Sequence, residues 1–129
     1  MATVTALHLQ YRLWIADMNA DIDVMRILND YLISSIAQED DGDTLKRNNE
    51  FKEKFSNLRI ELDAIRHEMH LNKMKLASVN KEQNQSVKII ENEIGHKALK
   101  ERYTLFKETF SKTKAAFQKF QHDKDTINE

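Results

Sequence analysis

Two histidines separated by most of the chain, His8 and His96, are the side chains best suited to chemistry. Imidazole changes charge near neutral pH and binds zinc, copper and iron through a ring nitrogen. His96 falls on the apolar seam of the last helix when its register is extended backwards, and His8 comes to the same level by antiparallel registration. If short turns make successive helices antiparallel, residue i of the first helix faces about 81−i on the second and about 83+i on the third. His8 then lies near Asn72, Asn92 and His96, with Glu68 and Trp14 one turn away. This is the most polar layer of an otherwise apolar core, and it admits two readings. In one it is a hydrogen-bonded layer that fixes helix order and register, as a seam asparagine does in paired helices. In the other it is a metal or small-ligand site, with His8 and His96 as nitrogen ligands and Glu68 as a carboxylate. Glu93-x-x-His96 spells half of the di-iron carboxylate signature. A second Glu-x-x-His and the four-carboxylate set are missing, so di-iron chemistry is not expected.

Other chemical candidates are thinner. His67 and His70 stand three residues apart at outward positions, where a third metal ligand is lacking. The acidic stretch Gln38 to Asp43 does not have the EF-hand register, with glycine sixth and glutamate twelfth, and reads as a solvated turn at a helix start. Asp21 interrupts an apolar seam and needs a base such as Arg59, Arg102 or Lys107, because an unpaired buried carboxylate is costly. Glycine-rich phosphate loops, nucleophile elbows and Ser–His–Asp arrangements are absent from the sequence. The lack of cysteine removes thiolate zinc sites, iron–sulfur clusters, disulfides and cysteine nucleophiles. The expectation is a protein with no cofactor and no enzymatic activity.

The elements that must position these residues are helices. The 129 residues include no proline and two glycines, and good helix formers dominate. A β-rich fold would lack its turn residues. The organising stretch runs from Phe51 to Val79. Phe51, Phe55, Leu58, Leu62, Ile65, Met69, Leu76 and Val79 recur at alternating steps of four and three, with Asn72 filling the one gap. That is the seam of coiled-coil-like helix packing, and such a helix requires partners. A first helix is predicted from about Thr3 to Ala37, with Val4, Leu7, Tyr11, Trp14, Met18, Met25, Leu28 and Leu32 on its seam and Thr3 or Thr5 as cap. Asp43 is the predicted cap of a second helix, Thr44 to Val79, and Asn80 to Ser86 form the second turn. A third helix reaches about His122, with Leu99, Tyr103, Phe106, Phe110, Thr113, Phe117 and Phe120 on its seam and residues 123–129 as a fraying tail. The expected architecture is one all-α domain, an antiparallel up-down-up bundle of three long helices. Gly95 falls inside the third, and a break there gives a four-helix alternative.

The net charge is −1, but its distribution is uneven. Residues 1–43 set eight acids against Arg12 and Arg26, and residues 97–124 set eight bases against three acids. An acidic first helix beside a basic last helix fixes their pairing. A nucleic-acid face is not expected, because the lysines are spread around the last helix. The N-terminus lacks a basic-then-apolar leader, and apolar runs fall far short of the roughly 20 residues of a membrane span. A cytoplasmic protein without a membrane partner is therefore expected.

His8-x5-Trp14, the Phe51…Phe55 start of the second helix, and Leu99-x-Glu101-Arg102…Phe106…Phe110…Phe117-x-x-Phe120 form one further pattern. On these residues the chain resembles small bacterial all-helical proteins of unassigned function. The resemblance implies no activity, and it implies that His8 and Trp14 belong to the polar layer. The expected function is a non-enzymatic interaction or scaffold module, working by self-association or by offering a groove to a partner helix. Val24, Tyr31, Ile89, Ile90, Ile94 and Leu105 are its expected apolar contacts. Two alternatives stand beside it: the metal- or ligand-binding bundle around His8 and His96, and binding of acidic partners through the basic third helix.

Overall fold

The computed structural model describes residues 3–79 and 86–127. All regular structure among them is helical: α1 (Val4–Gln38), α2 (Gly42–Ala77), α3 (Val87–Glu93) and α4 (His96–Ile127). The helix starts follow from side chains that satisfy orphan backbone donors. Thr3 caps α1, its Oγ1 accepting from the Ala6 amide at 3.0 Å. Asp41, not Asp43, caps α2. One of its carboxylate oxygens accepts from the Thr44 amide at 2.9 Å and from the Thr44 hydroxyl at 2.7 Å. Gly42 thereby becomes the first residue of α2, and the turn shortens to residues 39–41. At the other end α2 stops at Ala77, where the Ser78 hydroxyl donates to the Lys75 carbonyl at 2.8 Å. Of the predicted second turn, residues 80–85 lie outside the described residues. Ser86 occupies the N-cap position of α3 without a side-chain cap bond. The predicted tail from residue 123 is helical as far as Ile127.

The long third helix expected from periodicity is two helices, which makes four in all rather than three. The break is at Gly95, whose φ of 65° is the left-handed conformation that closes many helices. The Gly95 amide donates back to the Asn92 carbonyl at 3.2 Å, and the Gly95 carbonyl accepts from Leu99 at 3.1 Å, beginning α4. The carbonyl of Ile94, left over at the end of α3, accepts from the Asn72 side chain at 3.0 Å. A residue of the central helix therefore holds the break in place.

Contacts fix the relative directions. Tyr11 meets Asn72 and Asn19 meets Arg66, so α1 and α2 run antiparallel. Tyr11 meets His96, Asp21 meets Lys107 and Glu39 meets Lys124, so α4 runs parallel to α1. The acidic α1 does lie beside the basic α4, and these ion pairs are part of what joins them. One core runs the length of the molecule. Leu7, Tyr11, Ile15, Met18, Met25 and Leu32 of α1 pack on Phe51, Phe55, Leu58, Leu62, Ile65, Met69 and Leu76 of α2 and on Leu99, Tyr103, Phe106, Phe110 and Phe117 of α4. The end nearest the first turn is aromatic: Phe51 packs edge-on to Phe117 at 5.2 Å, and Phe55 edge-on to Phe110 at 6.4 Å. At about 1.5–3 kcal/mol per buried large side chain, these rings are a main source of stability.

Candidate functional site

The opposite end of the core holds the polar layer, built from one residue of each long helix. The Asn72 amide nitrogen of α2 donates to the Tyr11 hydroxyl of α1 at 3.2 Å, as well as to the Ile94 carbonyl. Because the Ile94 carbonyl can only accept, the orientation of the Asn72 amide is fixed, and the Tyr11 oxygen must be an acceptor from it. The Tyr11 proton then points to Nδ1 of His96 on α4, 2.7 Å away. This assigns the His96 proton to Nε2. Trp14 closes the layer, stacked on His96 with centroids 5.7 Å apart and edge-on to Tyr11 at 5.4 Å. Burial lowers the His96 pKa below its ordinary 6.5 and raises that of Tyr11. Both shifts keep the pair neutral, the state in which the hydrogen-bond chain has one proton for each position.

The residues predicted for this layer are only partly brought together. Asn72 and His96 meet through Tyr11, as described. His8 is half-buried and makes none of the bonds of the layer. In the expected register Tyr11 faces residues 70 and 94; it meets Asn72 and His96, two residues further along each partner helix, and so takes the place in the layer expected for His8. Asn92 is exposed near the end of α3, because the break at Gly95 takes it off the seam that His96 occupies. Glu68 is also exposed and is held by Arg102 Nη1 at 3.0 Å, while Arg102 Nε bonds Glu61 at 2.8 Å. Among the described residues there is no group of three or more His, Cys, Asp or Glu side chains arranged to hold a metal ion. His67 and His70 both lie exposed on α2.

About three turns along, Asp21 is buried and paired with Lys107, one of the bases anticipated for it, at 2.9 Å. The same ammonium reaches Asp17 at 3.1 Å, and the Tyr103 hydroxyl donates to that carboxylate. The Tyr103 bond, with help from Lys107, lowers the Asp17 pKa. Burial alone would lower the Lys107 pKa, but its bonds to Asp21 and Asp17 outweigh that and raise it. The result is a closed polar network binding α1 to α4. Periodicity places Tyr11 and Tyr103 on apolar seams and does not mark Asp17, although a buried tyrosine hydroxyl needs a partner. Asn48, one step before Phe51 on the α2 seam, is likewise not marked by periodicity. It is completely buried, and neither its amide nitrogen nor its oxygen has a hydrogen-bond partner among the described residues.

The outer surface has a feature of its own. Leu9, Leu13, Ala16, Ala20, Asp23 and Ile27 of α1 are all exposed, at helical steps of four and three on the face opposite the buried seam. Leu13 and Ile27 are 61% and 63% exposed. Of the surface contacts expected from sequence, Tyr31, Ile89 and Leu105 are exposed. Val24 and Ile94 are partly buried against the core, and Ile90 is fully buried because it is the residue by which α3 packs. No protein-family model matches the chain, and neither any curated protein nor any solved structure is significantly similar to it.

Proposed function

We propose that the protein is a helical interaction module that binds another polypeptide helix along the outward face of α1. In this reading α1, α2 and α4 act together as an up-down-up scaffold, with α3 as a short cap at one end. The observation that carries it is the exposed row on α1 of Leu9, Leu13, Ala16, Ala20 and Ile27, interrupted once by Asp23. Isolated exposed leucines are ordinary, but a row with the period of a helix seam is the form of a helix-docking surface. The polar layer and the Asp17–Asp21–Lys107–Tyr103 network serve this role by holding α1 rigidly against α2 and α4. The lack of cysteine fits a reducing compartment such as the cytoplasm.

A photo-crosslinking residue placed at Leu13, with the tagged protein in its native lysate, tests the reading. The expected result is a discrete crosslinked species that is lost when the probe moves to exposed Glu53 on α2. Absence of any species specific to position 13 would refute it.

A further inference from the structure

We infer that the occupant of the outward α1 face is a second copy of the same chain, packed antiparallel about a two-fold axis between Ala16 and Ala20. This rests on the interaction reading above and names its partner. The argument begins with the order of side chains on the face, which matches from its centre at the first and third steps and places Leu13 opposite Asp23 at the second. Outward from the midpoint come Ala16, Leu13 and Leu9 one way, and Ala20, Asp23 and Ile27 the other. An antiparallel pairing sets Ala16 against Ala20, Leu9 against Ile27, and Leu13 against Asp23 with Arg12 at its side. The alanines at the crossing let the two helices approach closely, and the larger side chains interlock on either side. A self-complementary patch of this kind is what an isologous dimer requires.

Charge selects the direction. Arg12 is exposed and has no acidic partner among the described residues. In the antiparallel pair it lies beside Asp23 of the second copy. Asp23 is flanked within its own chain by Arg26, at 3.8 Å, and Asp30 is exposed on the same face. Each end of the interface then gathers Asp23, Asp30 and Arg26 from one copy and Arg12 from the other, and the charges balance. A parallel pair would instead set Asp23 against Asp23 and Asp30 against Asp30, with Arg12 about 16 Å away along the helix.

The test uses the intact protein, which has no native cysteine. Sedimentation equilibrium over a wide concentration range should show a dimer. Leu13→Glu, which faces Asp23 in this pairing, should abolish it, while Leu13→Lys should weaken it less. Both substitutions are at a solvent-facing position, and unchanged helix content and melting temperature at high dilution confirm that the fold is kept. For direction, Leu9→Cys and Ile27→Cys chains carrying different tags are mixed and oxidised. The antiparallel pair forms the mixed disulfide and gives no Leu9→Cys self-link, because those two positions are about 27 Å apart along the axis. A monomer at every concentration overturns the inference, as does a self-link at position 9. A monomeric pure protein that still crosslinks from position 13 to another chain in lysate overturns only this inference and leaves the interaction reading standing.

Discussion

Replacing Asn48 with leucine should make the protein more stable. Asn48 is 0% exposed, and both ends of its amide lack partners among the described residues. Burying a polar group without a hydrogen bond costs about 1–3 kcal/mol on the evidence of mutational series. Leucine removes that cost and adds apolar burial against the surrounding core, at some risk of overpacking because it differs in shape. A net gain of about 2 kcal/mol is expected, which for a domain of this size raises the melting temperature by roughly 7 °C. The measurement is thermal and urea unfolding followed by circular dichroism. The control is Asn72→Leu, the same exchange on the same seam at a residue that makes two hydrogen bonds. It should lose about 1–3 kcal/mol, because the Tyr11 hydroxyl and the Ile94 carbonyl lose their donor. Opposite signs for the two substitutions support the reasoning. If Asn48→Leu also destabilises by a kilocalorie or more, the amide is satisfied in solution and the reasoning fails.

The pH dependence should be led by His96. Its folded pKa lies below the ordinary 6.5 because of burial, so as pH falls the unfolded chain takes up its proton first. The stability held by the neutral ring is complete above about pH 6.5 and is lost on acidification through the folded value. His70 is shifted the same way, also through burial, and the comparison that isolates His96 is the melting temperature against pH for His96→Phe, which should be flatter in this window. Trp14 is the only tryptophan and stacks on the ring, so its fluorescence should report the same titration. Lys107→Met should cost about 1–2 kcal/mol by leaving Asp21 buried without its base, a figure reduced for the partial exposure of the lysine. Adding Asp21→Leu should recover most of that loss in a double-mutant cycle, and additive losses would refute the pairing. Gly95→Ala should destabilise by about 1 kcal/mol through its positive φ alone, because an added Cβ there meets nothing within 4 Å. Gly42→Ala, in a helical position with equally open space, should stabilise by about 0.5–1 kcal/mol.

The sequence by itself determined the helices and their buried faces. A period of three and four is a property of one segment, and every seam residue from Phe51 to Leu76 is buried because no other face of α2 could be. The cap at Thr3 and the need of Asp21 for a base were legible for the same reason: each is a local demand that nearby chemistry must meet. The helix break was visible only as a possibility. Gly95 permits a left-handed turn, but the Asn72 side chain, distant in sequence, is what satisfies the freed carbonyl. Tertiary structure alone decided the register between helices. Offsets of about two residues between the expected and observed pairings put Tyr11 rather than His8 in the polar layer, and periodicity is nearly blind to such offsets because the seam repeats. It also decided that Asn48 has no partner among the described residues while Asn72 has two, although both occupy seam positions on one helix. Whether a buried amide is satisfied depends on what another helix places opposite it.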